Sequence, residues 1–148
     1  MAIYISHSPQ ETERLGEDWG AEARPGMLFG LSGDLGTGKT QLVKGIARGL
    51  GLTSRVHSPT FALVNIYTGG RLPLFHLDVY RLEKPEQIAA AGLEEFLQTN
   101  GVTVVEWAER WPELLAGKSK GRSTPLRWVE LESLGETGRR ISYEDFGS

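Results

Sequence analysis

The chain has 148 residues, of which 39% are hydrophobic and 24% charged, and this size and composition are typical of one globular domain rather than a disordered protein. A formal net charge of −3 disfavours binding to nucleic acid through overall positive charge, although it leaves room for a local basic patch. The lack of cysteine excludes disulfides, thiolate nucleophiles and cysteine-bound metals, and it is typical of a reducing compartment. We therefore expect one domain over residues 1–148.

The first elements along the chain are predicted to be a strand and a helix. Residues 2–5 favour a short strand, and Ser8, Pro9 and Glu11 follow in the order of a helix cap, a first-turn proline and a capping-box glutamate. This helix is expected to end near Ala23. The N-terminus lacks the pattern of a signal peptide, and no stretch approaches the roughly 18 apolar residues of a membrane span, so we expect a cytoplasmic protein without a membrane partner.

The next segment predicts a strand, a glycine-rich loop and a second helix. Residues 27–31 are nearly all apolar, which is typical of a strand buried on both faces of a parallel sheet. After the loop, apolar residues recur at helical spacing, and Gly49 and Gly51 end the pattern. The recurring residues are Leu42, Val43, Ile46, Ala47 and Leu50.

The second half of the chain predicts further strands. Residues 61–67 and 72–79 favour an antiparallel hairpin, and residues 85–98 favour a helix interrupted near Gly92. Residues 102–105 predict another buried strand. Residues 118–148 are expected to form a C-terminal loop and a closing hairpin, and this is the part of the chain that the patterns define least.

Residues 33–40, Gly-Asp-Leu-Gly-Thr-Gly-Lys-Thr, match the P-loop pattern G-x-x-x-x-G-K-[ST]. Its glycines let backbone N–H groups surround phosphate oxygens at the N-terminus of the following helix. Lys39 is expected to reach the β- and γ-phosphates of ATP, and the Thr40 hydroxyl to bind Mg²⁺. The strand before the loop and the helix after it predict an α/β, P-loop NTPase-like three-layer domain. We expect a mixed, mainly parallel central sheet flanked by helices, plus antiparallel hairpins.

Acidic residues near the metal are needed for catalysis, and two of them follow predicted strands. Asp78 comes after residues 74–77 and Glu106 after residues 102–105, so both would lie at the carboxyl edge of the sheet, where ligands bind in open α/β folds. Either could hold Mg²⁺ or orient the attacking water. The alternative is an exposed carboxylate paired with a nearby arginine.

Thr60 is a candidate sensor of the γ-phosphate because it follows Ser58 and Pro59 in a loop between the second helix and the hairpin. A turn stiffened by proline explains the same residues equally well. The candidate catalytic residues are thus Lys39, Asp78, Glu106 and Thr60, and the candidate metal ligands are Thr40, Glu106 and Asp78.

Five motifs, taken in order, resemble the TsaE family, also called YjeE. They are the P-loop at residues 33–40, Ser-Pro-Thr-Phe at 58–61, His-Leu-Asp-Val-Tyr-Arg-Leu at 76–82, Gly-Leu-Glu-Glu at 92–95 and Val-Glu-Trp at 105–107. The resemblance covers roughly residues 8–115 and is far more specific than a P-loop alone. Gln41 departs from the family pattern, in which a second threonine is frequent, and the resemblance explains little after Lys118.

This resemblance implies the ATPase of bacterial threonylcarbamoyladenosine modification of tRNA. Such a protein works with the TsaB–TsaD complex, in which TsaD transfers the threonylcarbamoyl group made by TsaC to adenosine 37, so contact with tRNA is expected to be indirect. Thr60, Asp78, and Glu106 with Trp107 are the implied functional residues beyond the loop. The nucleotide-binding residues are then expected to be Asp34, Leu35, Gly36, Thr37, Gly38, Lys39, Thr40, Gln41 and Trp107.

Several residues have a simpler structural interpretation. Trp107 is as well explained by an aromatic side chain that fills the core, and His57 and His76 favour packing roles because they lack a repeated metal-ligand spacing. A local basic stretch favours a solvated loop over a tRNA contact. Its members are Lys118, Lys120, Arg122 and Arg127.

Two other functions fit a short P-loop domain. A small-molecule kinase would need an acceptor pocket and a lid with arginines, and Arg71, Arg81 and Arg110 are scattered along the sequence. A non-catalytic switch would bind its partner only when loaded with ATP. A GTPase is disfavoured because the chain has no Asn-Lys-x-Asp motif.

Overall fold

The structure is a computed structural model that describes residues 1–34, 36–57, 59, 63–114 and 125–147. Within these ranges, strands and helices alternate through much of the chain. The strands are β1 (Ala2–Ser6), β2 (Leu28–Ser32), β3 (Val64–Tyr67), β4 (Leu74–Asp78), β5 (Val102–Glu106), β6 (Leu126–Ser133) and β7 (Arg139–Phe146). The α-helices are α1 (Pro9–Glu22), α2 (Lys39–Gly49) and α3 (Pro85–Ala90), and short 3₁₀ helices span Leu93–Leu97 and Ala108–Arg110.

These strands form one sheet in the order β1-β7-β6-β2-β5-β4-β3. The central strands β6, β2, β5 and β4 are mutually parallel, whereas β3 pairs antiparallel with β4, and β7 pairs antiparallel with both β6 and β1. The predicted α/β architecture, with a mainly parallel sheet, flanking helices and antiparallel hairpins, is confirmed.

Helices α1 and α2 cover one face of the sheet and touch each other at backbone distance. A Cβ atom built on Gly45 would lie 2.0 Å from the Glu13 carbonyl oxygen, and one on Gly20 would lie 2.2 Å from the Ile46 carbonyl oxygen. Only glycine permits this approach, because any larger residue would push the helices apart. The apolar cluster below them includes Trp19.

The predicted cap and first-turn proline of α1 are confirmed, whereas the capping-box contact is not, because the Glu11 carboxylate accepts the N–H of His7 instead of that of Ser8. Ser8 is its N-cap, the Ser8 hydroxyl accepts the N–H of Glu11 at 3.1 Å, and Pro9 occupies the first turn. At the other end, Arg71 donates to the carbonyl oxygens of Gly20 and Ala23 at 2.7 and 2.8 Å. The arginine thus satisfies carbonyls that a helix C-terminus leaves without partners.

The opposite face of the sheet is covered by α3 and the 3₁₀ helices, where Leu77, Ile88 and Trp111 are among the buried residues. The predicted interruption of the helical segment is confirmed at Gly92, which has φ 75° and separates α3 from the 3₁₀ helix Leu93–Leu97. In the part of the chain that the structure describes, no helix has the length and apolar character needed to cross a membrane.

The C-terminal hairpin lies next to the centre of the sheet, a position that the sequence did not predict. The hairpin itself is confirmed as β6 and β7, but β6 pairs with β2 and therefore stands directly beside the strand that leads into the P-loop. Pairing between β7 and β1 then joins the two ends of the chain. The loop predicted at residues 118–124 and the start of the hairpin at residues 61–62 lie outside the described residues.

Candidate nucleotide-binding site

A cleft of about 510 Å³ lies at the carboxyl ends of the parallel strands. This edge is where open α/β sheets bind ligands, because the loops that follow the strands converge there. The wall of the cleft combines the P-loop with the starts of α1 and α2, the ends of β4 and β5, and the turn between β6 and β7. Its polar lining includes Lys39, Thr40, Gln41, Asp78, Arg81, Glu106, Thr137 and Arg139.

The P-loop follows β2 and requires glycine where it turns. Gly33 has φ 144°, and a Cβ atom there would lie 2.6 Å from the Leu131 carbonyl oxygen on β6. Gly38 has φ 96° and is the N-cap of α2, so the loop enters the helix through a left-handed residue. Both features turn the backbone around the N-terminus of α2, where partial positive charge favours anions.

Lys39 is nearly buried at the floor of the cleft, with an exposed fraction of 5%. Its ammonium group donates to the carbonyl oxygen of Gly33 and, at 2.9 Å, to that of Asp34. Burial lowers the pKa of Lys39, and the carboxylates of Glu106 and other acidic residues around it partly oppose this shift. Phosphate oxygens entering the cleft would replace the loop carbonyls as acceptors.

Thr40 and Glu106 meet beside this lysine. The Thr40 hydroxyl lies 3.1 and 3.2 Å from the two carboxylate oxygens of Glu106, which has an exposed fraction of 3%. A second contact joins Glu106 Oε2 to the Nε2 atom of His76 at 2.5 Å. The carboxylate is therefore held from two sides, by a residue of α2 and a residue of β4.

Asp78 approaches the same cleft from one strand further out. Strand β5 is the direct neighbour of β2, whereas β4 lies beyond β5, and Asp78 is in register with Glu106. Burial raises the pKa of Asp78, while the backbone N–H of Tyr80, which donates to its carboxylate at 2.9 Å, lowers it. Both predicted acidic residues thus line the cleft, and Glu106 makes the direct contact with Thr40.

Trp107 covers Lys39 from the outer side. The lysine Nζ atom lies 3.9 Å from the centroid of the indole ring, a cation–π contact. The Tyr80 ring packs against the same indole ring in a tilted arrangement, with 4.6 Å between the ring centroids. Trp107 has φ 62°, a left-handed conformation that is uncommon for a bulky residue and that turns the chain directly after β5. The tryptophan lines the cleft and also packs partly on the apolar cluster below it.

Other residues of the P-loop have defined contacts. The Thr37 hydroxyl donates to the carbonyl oxygen of Asp34 at 2.7 Å and so closes the loop on itself. Gln41 lines the cleft, and its amide donates to Glu13 of α1 at 2.7 Å. Leu35 and Thr60 lie outside the described residues, so their expected roles stay predictions.

The sequence patterns assigned no role in the site to three residues that contact it. Arg139, at the start of β7, donates to the carbonyl oxygen of Gly36 at 2.9 Å, and the Glu109 carboxylate accepts the N–H of Gly33 at 3.3 Å. His76 was expected to have a packing role, and its contact with Glu106 is a property of the folded sheet. A short polar turn distant in sequence from the P-loop carries no pattern that would identify Arg139 as its neighbour.

Two other basic residues named in the sequence analysis, Arg127 and Arg110, make defined contacts within the fold. Arg127 forms a bidentate pair with Asp145 at 2.6 and 2.9 Å, and this contact raises the arginine pKa. Arg110 donates to the Tyr80 carbonyl oxygen at 2.6 Å. Lys118, Lys120 and Arg122 of the predicted basic stretch fall outside the described ranges.

The oxygen donors at the cleft suit a Mg²⁺ ion that is shared with phosphate oxygens, rather than a metal ion held only by protein side chains. Thr40, Glu106 and Asp78 offer a hydroxyl and two carboxylates, which are hard ligands suited to this ion. Over the residues that the structure describes, no group of three or more His, Asp or Glu side chains is arranged to hold a metal ion. Proteins usually bind Mg²⁺ through one or two carboxylates together with substrate phosphates.

Comparisons with known proteins agree with the fold and the motifs. The family model described as "Threonylcarbamoyl adenosine biosynthesis protein TsaE" matches residues 6–140. The TsaE protein of Bacillus subtilis is 45% identical over 108 residues, which are 73% of this chain and 67% of that protein. The TsaE protein of Rickettsia bellii is 36% identical over 136 residues, which are 91% of this chain and 89% of the relative.

A solved structure shows the same architecture. The crystal structure of Bacillus subtilis YdiB superimposes with a TM-score of 0.75 and 32% sequence identity, covering 99% of this chain and 86% of that one. The matched family model spans every element from the start of α1 to the start of β7. On this evidence, the chain belongs to the TsaE family.

Proposed function

We propose that this chain binds Mg²⁺ and ATP and hydrolyses the ATP, and that it does so in the biosynthesis of threonylcarbamoyladenosine in tRNA. The observation that carries the proposal is the convergence of Lys39, Thr40 and Glu106. A P-loop lysine, a hydroxyl and a buried carboxylate lie together at the N-terminus of α2, within one cleft. This is the set of groups that phosphoryl transfer to water requires.

The residues of the P-loop bind and orient the phosphates in this proposal. Backbone N–H groups at the start of α2 donate to phosphate oxygens, and Lys39 offers its positive charge to the β- and γ-phosphates. Mg²⁺, held by Thr40 with Glu106 or Asp78, would neutralise charge on the phosphates. The nearly buried position of Lys39 strengthens its attraction for phosphate because little water screens it.

The two carboxylates share the remaining tasks. Glu106 contacts Thr40 directly, which favours Glu106 as the group beside the metal. Asp78, one strand further out, is then free to orient the attacking water. Glu106→Gln and Asp78→Asn are both expected to keep ATP binding and lower turnover. Glu106→Gln should also need a higher Mg²⁺ concentration for its maximal rate, whereas Asp78→Asn should not, because only Glu106 is assigned to the metal.

The biological role rests on the family. The relatives are named tRNA threonylcarbamoyladenosine biosynthesis proteins, and we place this chain in the same modification. We propose that hydrolysis is coupled to a TsaB–TsaD complex, that the transfer of the threonylcarbamoyl group belongs to that complex, and that tRNA contact is indirect. A P-loop site that lacks a partner-supplied group is slow, so activity alone is expected to be low.

Phosphate release from Mg-ATP, measured with and without TsaB–TsaD, tests the proposal. We expect stimulation by the partners and a loss of about 1,000-fold in Lys39→Ala, because the variant removes the cation that faces the transferred phosphate. Lys44→Ala is the matched control, since Lys44 is an exposed lysine on the same helix. Equal activity in Lys39→Ala and Lys44→Ala would refute the proposed site.

The same assay separates the two other functions. A kinase would deliver the γ-phosphate to a small-molecule hydroxyl, so a phosphorylated product would replace free phosphate. A switch would retain ATP and bind its partner without turnover. Either result would refute ATP hydrolysis as the reaction. The nucleotide-binding site would still stand if Lys39→Ala abolished nucleotide binding.

A further inference from the structure

His76 is fully buried in the sheet, and the roles proposed above do not use it. It lies on β4 between Leu74 and Asp78, on the face that α2 covers. Two of its neighbours on that face, Leu74 and Val104, belong to the apolar cluster. An aliphatic residue would fill such a position without the cost of burying a polar ring.

The surroundings of the two ring nitrogens of His76 indicate which nitrogen carries the hydrogen. Nε2 lies 2.5 Å from the Glu106 carboxylate, and an ionised carboxylate can only accept. Nδ1 is buried and, among the described residues, has no hydrogen-bond partner. In the tautomer with hydrogen on Nε2, the Nε2–H donates to Glu106, and the atom left without a partner among the described residues is the Nδ1 acceptor. The opposite tautomer would bury a donor and set two acceptors against each other.

The contact with His76 helps to fix the Glu106 carboxylate, which has a second partner in Thr40. Glu106 Oε2 receives the Nε2–H of His76, while the Thr40 hydroxyl lies within 3.2 Å of both carboxylate oxygens. Because the bond to His76 comes from a rigid central strand and the bond to Thr40 from α2, the two together set the rotation of the carboxylate plane. Removing either one leaves the group free to turn.

We infer that His76 is a positioning residue that holds Glu106 in the orientation needed for the reaction. This inference rests on the proposed function, since it assigns to His76 an effect on turnover through Glu106. His76 itself is completely enclosed and does not line the cleft, so it does not meet the nucleotide. Partners of this kind, behind a ligating or catalytic group, typically affect activity by about 10- to 100-fold.

Steady-state kinetics with variants at both positions test the inference. We expect His76→Leu to lower kcat about 10- to 100-fold with little change in ATP affinity, because the cleft-lining groups stay in place. His76→Gln should recover part of kcat, since its amide can still donate to Glu106. In a Glu106→Gln background, His76→Leu should have little further effect on kcat, because the carboxylate that His76 orients is already absent.

Thr103→Val is the matched control for loss of a buried hydrogen bond. Thr103 lies on β5, is 1% exposed and donates to the Phe96 carbonyl oxygen at 2.8 Å on the other face of the sheet. It should lose stability and keep kcat. An equal fall in kcat in Thr103→Val, or additive losses from His76→Leu and Glu106→Gln, would overturn the positioning role.

A readout without nucleotide separates this inference from the proposed ATPase. Nitrogen NMR of the histidine rings should show His76 with hydrogen on Nε2, and Glu106→Gln should shift that signal while His7 and His57 stay unchanged. A hydrogen on Nδ1, or no response to Glu106→Gln, would overturn the inference. If the unsubstituted chain shows no turnover with partners present, the ATPase proposal fails, and these ring signals still decide whether His76 holds Glu106.

Discussion

Two regions of the cleft wall, the P-loop segment and the hairpin of β6 and β7, are built in different ways. In the first region, Lys39 and Thr40 come from one continuous strand–loop–helix segment, and local sequence is sufficient to identify them. In the second region, Thr137 and Arg139 come from the turn and the start of β7, which reach the site only because β6 pairs with β2. A motif therefore reveals the part of a site that is contiguous in sequence, and strand pairing supplies the remainder.

Substitution of Gly33 should give the largest effect on the contact between these two regions, because the P-loop touches β6 at this residue. Gly33→Ala would combine φ 144° with a Cβ atom 2.6 Å from the Leu131 carbonyl oxygen. We expect a loss of about 2–4 kcal/mol in the free energy of unfolding, from backbone strain and steric overlap together. Denaturant unfolding measures this loss, and ATP affinity should fall with it.

Gly36→Ala is the matched control in the same loop. Gly36 also has a left-handed conformation, with φ 76°, but a Cβ atom there would meet no atom of the described residues within 4 Å. It should lose only the strain of about 1–2 kcal/mol. Equal losses in the two variants would show that contact with β6 does not constrain the loop.

A substitution at Arg139 tests how much the hairpin of β6 and β7 contributes to ATP binding. Arg139→Ala removes the bond to the Gly36 carbonyl oxygen at 2.9 Å and a positive charge from the cleft. We expect ATP affinity to fall about 10-fold, in the range of a charged hydrogen bond, with a small change in stability. Titration calorimetry with ATP and Mg²⁺ measures the affinity.

Arg140→Ala is the comparison for that variant. Arg140 is exposed on the same strand and pairs with Glu132 at 3.6 Å, away from the cleft. Its loss should leave ATP affinity unchanged. A matching decrease in both variants would mean that general positive charge, rather than the placement of Arg139, draws ATP to the site.

The smallest effect is expected from the ion pair between Arg127 and Asp145, which joins β6 and β7 away from the cleft. The hydrogen bond and charge of Arg127 lower the pKa of Asp145. The pair therefore stabilises the fold above the usual aspartate pKa of 3.8, and this contribution is lost as pH falls through the lower folded-state pKa. Asp145→Asn should cost less than about 1 kcal/mol at pH 7, because the Asp145 side chain is 59% exposed and solvent screens its charge.

Thermal unfolding at neutral and acidic pH checks this expectation. The difference in Tm between the unsubstituted chain and Asp145→Asn should shrink towards zero at low pH, and ATP affinity at neutral pH should be equal. A difference that grows on acidification would contradict the assigned direction of the pKa shift.

Strand pairing also explains which parts of the fold were predictable. The cap at Ser8 and the break at Gly92 depend on residues within one turn of each other, and both predictions are confirmed. The hairpin of β6 and β7 was also predicted, from the β-prone segments at residues 126–134 and 139–143. Its insertion beside β2 was not, because any exposed strand edge offers the same backbone donors and acceptors.

Sequence by itself determined the phosphate loop, the α/β class and the presence of Asp78 and Glu106 at strand ends, because each depends on the spacing of nearby residues. Only the tertiary structure decided that β5 lies next to β2, that Glu106 meets Thr40 and His76, and that Arg139 reaches the P-loop at Gly36. The physical reason is that these contacts join segments 30 to 103 residues apart in the chain. Such contacts form when the strands pair and the helices pack on the sheet, and local patterns in the sequence do not encode which strands will be neighbours.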